Sequence, residues 1–229
     1  MDIVECVRAR RSIRGYRPEP VPEGIIREIL EISLQSPSAV NTQPWEFTVV
    51  AGDVLDQIRL GNVKKLLSGS APGKHVPGGG YRGVYKKRQV ELAADIFKLM
   101  KISRGDREKR EEWLQRGFRF FDAPAAIIIA VDESLDGTLA LFDLGAVSQT
   151  ICLVAVKYGL GTCIEAMGVM FPEVIRQFTG IPENKSIMMS IALGYPDGDF
   201  PANKLKSRRE PVESLCTWHG FAGLRPGTE

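Results

Sequence analysis

Three arginines fall within five positions in RARRSIRGY (residues 8–16), where Arg10, Arg11 and Arg14 surround Ser12. Several guanidiniums beside a hydroxyl suit a doubly charged phosphate, because arginine binds such oxygens through paired, charge-assisted hydrogen bonds. The same residues also suit a solvated helix end, where cations favour the C-terminal dipole. A second basic cluster, NKLKSRREP (203–211), carries Lys204, Lys206, Arg208 and Arg209 near the other end of the chain. Alternation in an extended segment would send Lys206 and Arg208 to one side; a solvated tail is the plainer reading. SPSAVNTQPWEF (36–47) combines small residues, two prolines, Asn41, Gln43 and Trp45. It is either a rigid polar loop presenting amide groups to a heterocycle or a helix-to-strand connection anchored by Trp45. GTCIEAMG (161–168) carries one acid, Glu165, which is a candidate general acid or base or a bystander beside a more important backbone N–H.

Other chemistries find little support. Gly78, Gly80 and Gly83 match G-x-G-x-x-G, but the residues before them are Pro/Gly-rich rather than a strand, so the dinucleotide fingerprint fails. The two histidines, His75 and His219, lie far apart and no metal-ligand spacing occurs. There is no G-x-S-x-G and no P-loop. The basic run YKKRQ (85–89) could guide an anionic substrate, though a solvated helix face explains it as well. Net charge is only +2, which gives no global pull toward nucleic acid or a membrane surface. The N-terminal stretch is charged from its second residue, unlike a secretory signal. The four cysteines form no CxxC pair, and we read them as reduced thiols of a cytoplasmic protein.

The elements that must carry these residues follow from periodicity. Residues 20–38 place Ile25, Ile26, Ile29, Leu30 and Ile32 at helical spacing between Pro22 and a Ser-Pro stop. Residues 46–50 read as a strand, and 53–69 as a helix with a weak centre at Gly61. Residues 68–83 are too rich in Gly and Pro for regular structure. Charged helices are expected over about 84–102 and 106–121. Residues 123–132 form a buried strand, and Asp136-Gly137 a turn. Residues 139–158 are apolar almost all round, which predicts a central helix ended by Gly159 and Gly161. A strand or strand edge (162–169), a short helix (171–180), a buried strand (186–196) and an extended tail complete the chain. The alternation implies mixed α and β structure, with 68–121 as an insertion or lid.

In this order RRSIR, SPSAVNTQPW, GLGTCIEAMG and KSRREP resemble the landmarks of the FMN-dependent nitroreductase family. The resemblance spans nearly the whole chain and is weakest across 52–121. It implies an α+β fold in one domain, 1–229: a mixed sheet flanked by helices, a helical lid at about 68–121 and an extended C-terminal arm at about 200–229. It implies FMN as cofactor, NADH or NADPH as donor, and a homodimer with FMN at the subunit interface. It also implies small flat acceptors such as nitroaromatics or quinones, reduced by a ping-pong mechanism. By position, Arg10, Arg11, Ser12 and Arg14 would grip the flavin phosphate and ribityl chain, with Arg14 also near the N1/O2 edge. Lys206 and Arg208 would join at the phosphate, with Arg209 a possible substitute.

Pro37, Ser38, Ala39 and Asn41 match the loop that reaches the flavin from the other subunit. Ile164, Glu165 and Ala166 match the segment against the reactive edge, where a backbone N–H bonds N5 and the Glu165 carboxylate need not be catalytic. Tyr81, Tyr85 and Trp113, with Phe97 and Phe118, would line the lid and set substrate choice. The charged lid resembles the nitrobenzoate-reductase branch. A related branch deiodinates halotyrosines with an acid, a tyrosine and a lysine in its lid. Tyr81, Tyr85 and Glu91 lie in that region here, but Gly117 stands where the lysine is expected. The alternatives are a reductive dehalogenase on the same scaffold, a non-catalytic flavin-binding redox protein, and a protein that binds phosphorylated ligands without flavin. No metal, nucleic-acid or membrane partner is expected.

Overall fold

The computed structural model describes residues 2–73, 80–135 and 137–220. Four strands, β1 (Glu46–Ala51), β2 (Ala125–Asp132), β3 (Gly161–Glu165) and β4 (Lys185–Gly194), form one sheet in the order β1-β2-β4-β3. All three pairings are antiparallel. The parallel component expected of a mixed sheet is, among the described residues, a single bridge from Ser12 to Thr162. β2 explains the layering. Its apolar run is buried on both faces, with Ala125, Ile127, Ile129 and Val131 in one core and Ala126, Ile128 and Ala130 in the other.

The helices are α1 (Ile3–Ala9), α2 (Glu23–Ser33), α3 (Gly52–Leu67), α4 (Gly83–Leu99), α5 (Arg107–Phe118), α6 (Gly137–Lys157) and α7 (Pro172–Thr179). α2 and α6 pack on the first face of the sheet, while α3, α5 and α7 pack on the second. α1 was not among the expected elements. A capping box starts it: the Asp2 carboxylate accepts the Glu5 N–H at 2.8 Å, and the Glu5 carboxylate accepts the Asp2 N–H at 2.9 Å. Arg10 is its C-cap, so the helix-end reading of the basic stretch holds for Arg8 and Arg10.

α6 buries Ala140, Leu144, Val147, Ile151, Cys152 and Ala155, yet leaves Leu139, Leu141 and Phe142 exposed. It is the one helix among the described residues that is long and apolar enough to cross a membrane; here it packs on the sheet. The weak centre expected at Gly61 is instead a close approach, since a Cβ there would lie 2.5 Å from Val174 Cγ1 on α7. α4 is exposed along most of its length and buries only Ile96, while α5 buries Gly117 and Phe118. His75, Gly78 and Asp136 lie outside the described residues. The four cysteines are free thiols.

Candidate functional site

One buried amide joins the two ends of the chain. Asn203 accepts the Arg14 N–H at 2.8 Å. Its Nδ2 donates to Gly15 O at 2.7 Å and to Asp197 O at 2.8 Å. The Arg/Ser stretch also runs along β3, where Ile13 N–H donates to Thr162 O at 2.9 Å. These bonds bring Arg8, Arg10 and Arg11 into one cavity of about 880 Å³ with Lys206 and Arg209. Among the described residues no carboxylate lines this cavity, and Ser207 and Gln149 add neutral polar groups. Among the described residues, Arg10, Arg11 and Lys206 have no ion-pair partner. Such a donor set fits a phosphate dianion.

The remaining residues of the two basic motifs lie around this cavity rather than in its lining. Ser12 pairs with Thr162, and Arg14 sits with its guanidinium carbon 5.9 Å from the Phe121 ring centroid. Arg208 lines a neighbouring groove with Lys87, Arg88, Glu91 and Asp95. Arg209 reaches both concavities, whereas the expected pairing of Lys206 with Arg208 is split between them. The local backbone is not a regular strand after Lys204, so strict alternation does not apply.

The far end of β3 is built from both faces of the strand. Ile164 points outward at 39% exposure, while Glu165 is buried at 7%. Ala166 follows, half-buried, before a tight turn over Met167–Val169. The Glu165 carboxylate accepts Gly168 N–H at 2.8 Å and lies 2.5 Å from Ser190 Oγ. Burial pushes its pKa up to about 7, against the opposing pull of the Ser190 and backbone hydrogen bonds. The carboxylate therefore faces the interior, and only the backbone and Ile164 are presented outward.

The polar loop after α2 is held on α6. Asp143 accepts Ala39 N–H at 3.1 Å, and Ser36 Oγ donates to Thr150 Oγ1 at 2.8 Å. Ser38 Oγ accepts Gln43 N–H at 3.0 Å. Val40, Asn41 and Gln43 have φ of 46°, 60° and 47°, a left-handed conformation that disfavours a β-branched residue such as Val40. Pro37 and Asn41 are exposed, and Ser38 and Ala39 half-buried. The loop is thus held rigidly, and the connection is also anchored by the buried Trp45, so neither reading of its composition is set aside. Of the lid residues, Tyr81 and Tyr85 are 60% and 63% exposed. Trp113 instead packs inward, with its ring 6.1 Å from that of Phe121. Among the described residues no cluster of potential metal ligands occurs.

A model of the Nitroreductase family matches residues 7–195. This chain belongs to that family. A 4-nitrobenzoate reductase of Nocardioides sp. (strain LMS-CY) is 32% identical over 93% of this chain and 87% of its own length. A 4-nitrobenzoate reductase of Pseudomonas putida is 29% identical over 96% of each chain. An FMN and NADPH-dependent nitroreductase, NfnB, from sphigopyxis sp. strain HMH superposes with a TM-score of 0.91 at 24% identity, covering 96% of this chain and 100% of that one.

Within this nitroreductase fold, four polar residues position the site without having been singled out from sequence. Asn203 and Ser190 carry no distinguishing local signal. Asn62 is buried in α3, where its Nδ2 donates to Gly168 O at 2.8 Å and Phe118 O at 3.1 Å. Asp143 was the detectable one, a lone acid in the otherwise apolar run at 139–158. Gly117 also gains a reason: a Cβ there would lie 2.2 Å from Met167 Cε and 2.5 Å from its Sδ.

Proposed function

We propose that this nitroreductase-family protein is an FMN-dependent oxidoreductase that uses NADH or NADPH to reduce nitroaromatic compounds and other flat acceptors such as quinones. The observation carrying this reading is the carboxylate-free cavity in which cations from both ends of the chain converge beside β3. Arg10, Arg11, Lys206 and Arg209 would hold the FMN phosphate there, with Arg208 at its margin. When bound, FMN would accept a hydride from the nicotinamide and pass reducing equivalents to the second substrate, in ping-pong order.

Ser12 and Arg14 would line the path from the phosphate toward the ring. The outward face of β3 at Ile164, Glu165 and Ala166 would lie against the reactive edge, offering backbone N–H groups. Glu165 supplies no general acid or base to the substrate in this reading, because its carboxylate is turned inward. The exposed apolar residues of α6 and the rigid Pro37–Asn41 loop support a homodimer in which that loop completes the partner's site. The exposed segment after Lys204 would embrace the partner. Tyr81 and Tyr85 would gate the acceptor pocket, with Trp113 anchoring the lid from below. The four free thiols support a cytoplasmic enzyme. The dehalogenase alternative loses support at Gly117, because glycine stands where that branch carries its lid lysine.

The test is the visible spectrum of the purified protein under anaerobic conditions, before and after NADH or NADPH and then 4-nitrobenzoate. The expected result is a flavin spectrum that bleaches with nicotinamide and returns with the nitro compound. Bound FMN that no nicotinamide bleaches would favour the non-catalytic redox protein. A colourless protein that takes up no FMN would overturn the reading.

A further inference from the structure

Two acids are buried among the described residues, Asp143 and Glu165. Asp143 has a clear use, since it holds the Ala39 N–H. Glu165 has a more unusual setting. Its Oε2 accepts Gly168 N–H at 2.8 Å, and its Oε1 lies 2.5 Å from Ser190 Oγ. Ser190 Oγ also lies 3.0 Å from the main-chain oxygen of Glu165. These distances admit two complete proton arrangements. With Glu165 ionised, the Ser190 hydroxyl donates to Oε1. With Oε1 protonated, it donates to Ser190 Oγ, whose own proton turns to the Glu165 main-chain oxygen. Neither arrangement leaves a buried polar group unpaired, so one proton can enter or leave without moving the strand.

The surroundings keep that geometry fixed. Asn62 holds the other side of the turn through Gly168 O. A Cβ at residue 168 would lie 2.4 Å from Phe120 and 2.6 Å from Glu165 Oε1, so only glycine lets the turn close over the carboxylate.

Resting on the FMN reading above, we propose that Glu165 is a proton-holding positioning residue. It fixes the 165–168 turn through Gly168, and its Oε1 takes up one proton when negative charge arrives on the outward face of β3. Bound FMN, reduced by a nicotinamide hydride, would gain two electrons and one proton and so one negative charge. A second proton would pass from a solvent hydronium, whose O–H bond breaks to leave water, to Glu165 Oε1, where an O–H bond forms.

The other groups facing Glu165 do not compete for that proton near neutral pH. Burial pushes the Cys163 thiol up to about 12 and the Tyr16 hydroxyl well above its ordinary range, so both stay neutral. Arg14 opposes that rise at both groups without reversing it. β4 contributes Ser190, the Met167–Val169 turn contributes backbone N–H groups, and α3 contributes Asn62 through Gly168. Burial already places the Glu165 carboxyl at about 7, so a modest added negative potential shifts its protonation within the neutral range.

The experiment is a spectroelectrochemical titration of the FMN-loaded protein and of Glu165→Gln from neutral to mildly alkaline pH. Between the Glu165 value of about 7 in the oxidised protein and its higher value in the reduced one, the wild type is expected to take up more than one and up to two protons per two electrons, and Glu165→Gln only one. Ser190→Ala keeps the carboxyl but removes a bond that stabilises its charged form, so the two-proton window should begin at higher pH. A carbon-13 NMR titration of the Glu165 carboxyl in the oxidised protein should have its midpoint near neutrality. Equal proton counts in wild type and Glu165→Gln, or a midpoint in the ordinary glutamate range, would overturn the proposal. A protein that binds no FMN would instead overturn the functional reading on which it rests, and this proposal with it; that result is distinct from FMN-bound protein with equal counts.

Discussion

The basic cavity and the turn after β3 use charge in opposite ways. In the cavity, Arg10, Arg11, Lys206 and Arg209 converge from distant parts of the chain, and no acid among the described residues lines the space between them. Such like charges repel and are tolerated because solvent screens them. Behind β3, Glu165, Ser190, Asn62 and Gly168 are buried and joined by hydrogen bonds, with Asn62 Oδ1 the one atom of the group left unpaired. Buried polar groups left unpaired cost about 1–3 kcal/mol each, so there the partners must be built into the protein. In the proposed reading the first region is completed by a ligand, whereas the second is completed by the fold. Changes in the cavity should therefore move affinity with little effect on folding, and changes behind β3 should do the reverse.

The largest expected effect separates the two regions most sharply. Replacing Arg10 and Lys206 together by Ala removes two charge-assisted contacts, each worth about 1.5–3 kcal/mol, and should weaken FMN binding by about 100-fold or more. Thermal stability of the flavin-free double variant should match or exceed that of the wild type, because a repulsion has been relieved. Equilibrium dialysis with FMN and thermal melts without it check both halves. A large loss of stability in the flavin-free variant would erase the distinction.

Asn203→Ala is the structural counterpart. It removes three hydrogen bonds and leaves the Arg14 N–H, Gly15 O and Asp197 O without their partner. A loss of about 3 kcal/mol in urea unfolding is expected, with FMN affinity falling as a consequence. An unchanged denaturation midpoint would show that the two termini are joined by something else.

Glu165 gives the comparison a pH dependence. Its folded pKa is about 7 against an ordinary 4.5, so between these values the folded state holds a proton that the unfolded state has lost. Stability should therefore fall as pH rises from about 4.5 to about 7, by about 3 kcal/mol from this group, and then level off. Glu165→Gln should flatten that segment in denaturation curves taken across the range. The surface acid Asp132 works in the opposite sense, since Ser134 and Lys185 hold its carboxyl below the ordinary range. Its contribution is present above the unfolded pKa and is lost as pH falls. The smallest effect belongs to the exposed Arg27–Glu23 pair at 2.6 Å on α2, where Arg27→Ala should change stability by less than about 1 kcal/mol.

The contrast also explains what could be read from the amino acids. Clustered exposed cations are conspicuous in a sequence, so RARRSIR and KSRR stand out before any fold is considered. The apolar strand 125–132 and helix 137–157 declare themselves by composition, and both faces of β2 are indeed buried. α1 is legible only through its end, the basic stretch at Arg8 and Arg10, because seven residues are too few for a clear apolar period, although an Asp2/Glu5 capping box starts it. Asn203, Asn62 and Ser190 are not legible in the sequence, since each takes part of its hydrogen bonding from contacts 25 to 189 positions away. The split of Lys206 from Arg208 has the same origin: alternation holds for a strand, and this segment is not one. Trp113 shows the limit for aromatics, which read alike whether they line a pocket or, as here, pack against the core.

The most direct measurement compares FMN with riboflavin, which lacks only the phosphate, by titration into flavin-free protein followed by fluorescence quenching. The convergent cations predict that FMN binds and that riboflavin binds at least about 100-fold more weakly, with the difference shrinking as salt is raised. Equal affinity for the two would contradict the assignment of the cavity to the phosphate and leave its arginines and lysine without a ligand.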